Sequence, residues 1–272
     1  VRSRPLLLAL TLCCGTTLTA QAPAALVRER AEYLTWLRTA PTSPFAAIAL
    51  QRIGNGISLG PEGSDIVLSG LTAVRVTESA DRVSLDSSGV SRPLPRERVV
   101  PVGRYRLLAT GLRGRSTLLV FGPVRDARDP AYFHYAGNAA DTVTLAPPAQ
   151  RGTALLLSAE GNDVEAVEAG SVVVSRFGVP VTLRVRRLPG AGADESELEI
   201  NFRDGTSGDG SYPAGRFVSL APLGNGKFLL DFNRARNPFC AYSSVFPCPA
   251  PWPGNTIAAR VEAGETYAKA GP

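Results

Sequence analysis

Apolar and polar positions change rhythm once along this chain. Over residues 24–38 they follow a helical period. Leu26, Arg30, Tyr33, Leu34 and Leu37 share one face, while Arg28, Glu29 and Arg38 dress the other. Pro41 and Pro44 end this helix, and residues 44–52 read as a short second one. Beyond that point alternation takes over. Short runs at 57–59 and 65–68 are split by a Gly-Pro-Glu-Gly turn. Runs 72–77 and 82–86 predict a hairpin around Glu78 to Asp81, and 104–110 with 115–121 predict another around Gly111 to Gly114. Strands follow at 142–146, 153–158, 163–168, 171–176 and 179–187. In the last of these, Val179, Val181, Leu183 and Val185 make a buried face, and Thr182, Arg184 and Arg186 a wet one. Leu198, Ile200 and Phe202 point inward in the same way, as do Phe228, Leu230 and Phe232. Residues 256–262 read as a final strand. Short strands at roughly ten-residue spacing predict a mainly β protein. The expected architecture is antiparallel sandwich- or barrel-like units with a short N-terminal α-helix.

The chain has 272 residues, enough for one large or two modest domains. Pro147-Pro148 suggests a boundary, with the irregular stretch 122–140 as the alternative. The expected division is a helix-led β unit at 23–146 and a second β unit at 147–272. Residues 1–22 read as a secretory signal peptide, with Arg2 and Arg4 ahead of an apolar Leu6 to Leu12 and an Ala20-Gln21-Ala22 cleavage site. Their apolar stretch is shorter than the ~20 residues a spanning helix needs. Export to the periplasm or the exterior is therefore expected, with no membrane span after cleavage. A lipoprotein anchored at Cys13 or Cys14 ranks second. Export would leave Cys240 and Cys248, and two cysteines in an oxidising compartment are expected to form a disulfide.

Composition narrows the chemistry. A chain that is 44% hydrophobic and 19% charged is not disordered. The net charge of +5 comes from scattered arginines rather than from a basic stripe interleaved with aromatics, so no nucleic-acid partner is expected. A single histidine, His134, excludes multi-histidine zinc sites and leaves any Ser-His-Asp triad dependent on one residue among aromatics. The G-x-S-x-G, P-loop and G-x-G-x-x-G motifs are missing. The Asp204–Asp209 loop lacks the closing glutamate of a calcium loop. No metal and no cofactor is predicted.

The remaining candidates gather between residues 197 and 265. A polar, Gly-rich loop runs from Asp204 through Thr206 to Tyr212, and Arg216 opens the next strand. Asp231, Asn233, Asn237, Tyr242, Asn255 and Glu265 follow, with five prolines between 238 and 253. The planar fork of Arg216 suits a carboxylate or phosphate. Asp204, Asp231 and Glu265 are candidates for a general base or a metal ligand. Asn233, Asn237 and Asn255 are candidates for orienting a ligand. The structural alternative is that the same groups satisfy the backbone of an irregular, proline-rich cap, with Arg216 paired to Asp231.

Six ordered motifs carry a resemblance. They are Phe202-x-Asp204-x-Thr206-Ser-Gly208, Tyr212-x-x-Gly215-Arg216, Asp231-Phe-Asn233, Asn237-Pro-x-Cys240-Ala-Tyr242, Cys248-Pro-x-x-x-x-x-Asn255 and Ala263-Gly-Glu265. In this order and spacing they resemble the bacterial and archaeal domain-of-unknown-function family numbered 1684. The similarity is dense over 197–267, and Trp36, Asp65-Ile66 and Phe133 extend it. Two positions depart from it: Phe217 stands where that family has Tyr, and Arg236 where it has an aromatic. The resemblance implies no reaction. It implies that these polar residues form a recurring set. The resulting expectation is an exported protein that binds a small polar or anionic ligand through Asp204, Thr206, Tyr212, Arg216, Asp231, Asn233, Asn237, Tyr242, Asn255 and Glu265. The rivals are a hydrolase using a carboxylate pair from Asp204, Asp231 and Glu265, and a non-catalytic envelope interaction module.

Overall fold

The computed structural model describes residues 21–268, apart from 81, 149, 151 and 190–195. All but the last two residues of the expected signal peptide thus lie outside the described residues. The helix α1 spans Ala24–Thr39 and ends where Ala40 turns extended. Leu26 and Leu37 are its buried anchors.

The fold is mainly β, in three sheets. The first unit holds nine strands: β1 (Ala47–Arg52), β2 (Ile57–Gly60), β3 (Ile66–Val67), β4 (Val74–Ser79), β5 (Arg82–Ser87), β6 (Val90–Pro93), β7 (Val99–Val102), β8 (Tyr105–Leu112) and β9 (Arg115–Phe121). A four-stranded sheet, β1-β9-β8-β7, packs on a five-stranded one, β3-β2-β4-β5-β6. Ile57, Leu59, Val76 and Leu85 meet Leu107, Ala109, Leu118 and Val120 in the core between them. Both hairpins fall where the alternation placed them. The second helix expected over 44–52 does not form. Pro44–Ala46 makes one 3-10 turn, and the rest is β1, paired from Ala47↔Phe121 to Arg52↔Thr117. So short a segment has little helical stability of its own, and pairing with β9 overrides it.

The second unit is one curled sheet, in the order β10-β16-β15-β14-β13-β12-β11. Its strands are β10 (Ala140–Thr144), β11 (Thr153–Leu157), β12 (Asp163–Val174), β13 (Val181–Pro189), β14 (Ser196–Asp204), β15 (Arg216–Gly224) and β16 (Lys227–Asp231). A short β17 (Thr256–Ile257) runs parallel to β14. Leu183, Val185, Leu198, Ile200, Phe202, Leu230 and Phe232 fill the concave side. Ala146 meets Ser171 through two hydrogen bonds of 2.8 and 2.9 Å, which draws the sheet round without closing a barrel. That approach requires Gly170: a Cβ there would lie 2.0 Å from the Ala146 carbonyl oxygen. Because β10 pairs with β16, the change of sheet falls within 122–139, in the irregular stretch rather than at Pro147.

Four strand expectations need correction. Residues 163–168 and 171–176 form a single strand, β12, because Gly170 sits at a bulge and not in a turn. The run expected over 227–233 leaves the sheet at Asp231, whose carboxylate accepts the Asn233 amide at 3.0 Å and starts a 3-10 turn. The strand expected over 256–262 stops at Ile257, since the carbonyls beyond it turn to Arg216. The face of β13 expected to be wet is so at Thr182, which is exposed, but covered at Arg186, only 1% exposed, whereas Val179, expected inside, is 88% exposed.

Candidate functional site

The polar set at the end of the chain comes together around two residues, Arg216 and Glu265, which are joined through the Glu265 carbonyl. Arg216 is wholly buried at the start of β15. Its Nη2 donates to Asp204 Oδ2 at 2.6 Å, to the Val261 carbonyl at 2.9 Å and to Thr206 Oγ1 at 3.4 Å. Its Nη1 donates to the carbonyls of Ala263 at 2.5 Å and Glu265 at 3.2 Å. The other oxygen of Asp204 accepts from the Thr206 amide and hydroxyl, both at 2.6 Å. Arg216 therefore pairs with Asp204, not with Asp231, and the hydrogen bonds of both its Nη atoms go to the chain itself, while its buried Nε has no partner among the described residues. Asn255 is a wedge of the same kind. It exchanges hydrogen bonds with the Arg184 amide (2.8 Å) and carbonyl (2.9 Å) and donates to the Asn201 carbonyl at 3.1 Å, holding β13 and β14 together where β14 turns to β17. Asn233 exchanges two bonds of 2.9 Å with Ala136 and donates a third of that length to Asp231 Oδ1. These residues satisfy backbone groups that have no ladder partner.

Glu265 is the second of these centres. It is fully buried, and its Oε2 accepts from Tyr242 Oη at 2.6 Å and the Asn237 amide at 2.8 Å. Its Oε1 has no hydrogen-bond partner among the described residues. Burial pushes the carboxyl up to about 7, against the opposing pull of Tyr242, Asn237, Arg236 and Arg216. Gly264, at φ +79°, makes room here, because a Cβ would lie 2.6 Å from the Ala235 carbonyl oxygen. Asp204, Asp231 and Glu265 line none of the cavities described below, so no carboxylate pair among them faces an open cleft there. His134 is exposed.

Tyr212 stacks edge-on against Tyr267 at 4.7 Å, and its hydroxyl donates to the Cys240 carbonyl at 3.2 Å. The same hydroxyl lies 3.3 Å from Cys248 Sγ. Both cysteines are free thiols in the structure, so the expected disulfide is not shown. Burial, first, and the neighbouring Cys248 push the Cys240 thiol up to about 12.

An open cavity lies elsewhere, between the two β units. Its apolar half, about 450 Å³, is walled by Trp36, Leu108, Leu119, Phe121, Phe239 and Phe246. The walls are preorganised. Trp36 lies 5.9 Å from the Tyr33 ring and 5.9 Å from Phe239, and Phe239 meets Phe246 at 5.4 Å. Arg236 enters this space. Its backbone is fixed by two 2.8 Å bonds to Phe217. The residue is exposed, because it faces the cavity. It lies 5.4 Å from the Tyr33 ring and makes no ion pair or side-chain hydrogen bond among the described residues. Burial alone would lower its pKa; Tyr33, Glu265, Glu199 and Glu160 outweigh that and hold it above its usual value.

Glu160 and Asn162 lead from this half into an acidic one of about 630 Å³, which also includes Glu199. Glu199 stands on β14 opposite Arg186 on β13. Trp252 covers this sheet face, 4.8 Å from the Arg184 guanidinium and 5.3 Å from that of Arg186. Burial, and after it Glu160, pushes the Glu199 carboxyl up to about 8, with Arg186 and Arg236 acting the other way.

Comparison with known proteins places the last irregular segment in context. A family model described as "Protein of unknown function (DUF1684)" matches residues 130–266, half of the chain. The chain belongs to the DUF1684 family. Among solved structures, an uncharacterized protein of Haloarcula marismortui, determined by solution NMR, is similar: 32% identical, with 52% of this chain and 77% of that one covered, at a TM-score of 0.44. No curated protein matches. Within the DUF1684 segment the polar set singled out by the resemblance makes the Arg216 and Asn255 staples and the Glu265 network. The cleft residues Trp36, Glu160, Asn162, Glu199, Arg236, Phe239 and Phe246 were missed by the sequence reading. Of these, Trp36 carried a signal as one of the positions that extend the family resemblance, and Arg236 as a cation where that resemblance leads to an aromatic.

Proposed function

We propose that this DUF1684 protein binds a small anion with an apolar body in the cleft between its two units. The anionic group would sit on Arg236 and the body among Trp36, Leu119, Phe121, Phe239 and Phe246. The observation that carries the reading is Arg236 itself: a cation exposed to a largely apolar cavity, with no ion pair or side-chain hydrogen bond among the described residues. A mostly apolar pocket with one well-placed charged group is the usual form of a ligand site. Export and a Cys240–Cys248 disulfide formed outside the cytoplasm belong to the same proposal. N-terminal sequencing of the secreted protein tests the first, with a start at Pro23 expected.

Decanoate and 2-naphthoate are suitable ligands for the test, followed by calorimetry and by the emission of Trp36. Saturable binding is expected, weakening roughly tenfold or more in Arg236→Gln. Equal affinity in that variant, or no binding by the unaltered chain, would overturn the reading.

A further inference from the structure

The acidic half of the cleft is at odds with the rest of the molecule. The chain is basic overall, at +5. Yet this compartment is lined by six carboxylates, Glu97, Glu160, Asp163, Glu165, Glu197 and Glu199, and by no basic side chain among the described residues. Asp163 is answered by Arg52 and Glu97 accepts from Thr110 Oγ1 at 3.0 Å. Glu199 is not answered. It is 6% exposed, lines the cavity, and has a buried Oε2 with no hydrogen-bond partner. Its cross-strand neighbour Arg186 forms no ion pair with it, and the Arg186 Nε and Nη2 are themselves without partners. A buried carboxyl that lines a cavity without a hydrogen-bond partner is costly unless it is protonated or something arrives to meet it.

We propose that this compartment binds a small aliphatic polyamine, with an ammonium group on Glu199 and a second on Glu160. The spacing of the carboxylates argues for an extended cation. Among the described residues no three acidic, histidine or cysteine side chains come together to hold one metal ion. Divalent metals need several oxygens at one point, whereas a polyamine distributes its charges along a chain. Leu112, Val164 and Leu188 line the same space and offer surface to the intervening methylenes. The site does not depend on Arg236 holding an anion.

Spermidine titrated into the full chain, followed by calorimetry at low and physiological salt, tests this. Saturable binding is expected, weakened roughly tenfold or more in Glu199→Gln and unaltered in Glu262→Gln, which lies outside the compartment. Glu160→Gln, at an exposed position, gives the same direction should Glu199→Gln not fold. Arg236→Gln should hold spermidine at least as tightly, because a nearby positive charge is gone, while losing decanoate. That separates this site from the anion site. Three results would overturn the proposal: no saturable binding, equal weakening in Glu262→Gln, or displacement of spermidine by an equal concentration of magnesium chloride.

Discussion

Arg216 holds three carbonyls of the segment 261–265 and the Asp204 carboxylate at once, from a fully buried position. Truncating it leaves Asp204 without its counter-charge. Arg216→Ala is expected to cost about 3–5 kcal/mol in urea unfolding, with spermidine and decanoate binding kept by whatever fraction stays folded. Glu265 adds a pH signature. Its carboxyl moves from an ordinary 4.5 to about 7 on folding. Between those values the folded chain keeps a proton that the unfolded chain has released. The group's favourable contribution is therefore complete below pH 4.5 and is lost as pH rises through about 7. Glu199 adds the same sign up to about 8. The melting temperature should fall on going from pH ~5 to ~8.5, and Glu265→Gln should flatten that slope while keeping an acceptor for Asn237 and Tyr242. A melting temperature that rises over this range would contradict the burial of both carboxyls. The sequence showed that Asp204, Arg216 and Glu265 belong to one set. It did not show that Arg216 faces protein carbonyls instead of a ligand, since a residue's type says nothing about which acceptors reach it first.

At the level of strands and loops, Asn255 stands in for a stretch of ladder. Replacing it with Ala removes three hydrogen bonds and leaves Arg184 and Asn201 backbone groups unmet. A cost of about 2–3 kcal/mol is expected, with hydrogen exchange at the Arg184 amide faster than at Leu183. Cys240 and Cys248 flank an irregular segment beside Tyr212, and oxidising them would close a short loop. The chain-entropy argument gives about 2.5 kcal/mol for it. Mild oxidation should remove two hydrogens by mass and raise the melting temperature. An oxidised form that melts lower would show that the bridge strains the Tyr212 contact. Alternation made both hairpins of the first unit legible, because each strand has one face in the core between the sheets. Gly170 misled for the opposite reason. A glycine between two apolar runs reads as a turn, and only the approach of Ala146, 24 residues earlier, shows it to be a bulge under a crossing strand.

For the whole molecule, the cleft lies where two β units meet. Phe45 packs edge-on against Tyr242 at 5.7 Å, and Arg52 pairs with Asp163 across the same junction. Its walls come from residues near 36, 110, 120, 160, 199 and 240, which no local pattern connects, so the cleft was not legible in the sequence although most of its strands were. The segment shared with the family, 130–266, brings Glu160, Glu199, Arg236, Phe239 and Phe246. Trp36, Leu108, Leu119 and Phe121 come from ahead of it. The charged groups of the cleft and part of its apolar wall are thus encoded in different stretches of the gene. A chimera that keeps 130–266 and takes its first half from another member should retain the Arg216 staple and the charges of the cleft, and change the shape of what they accept.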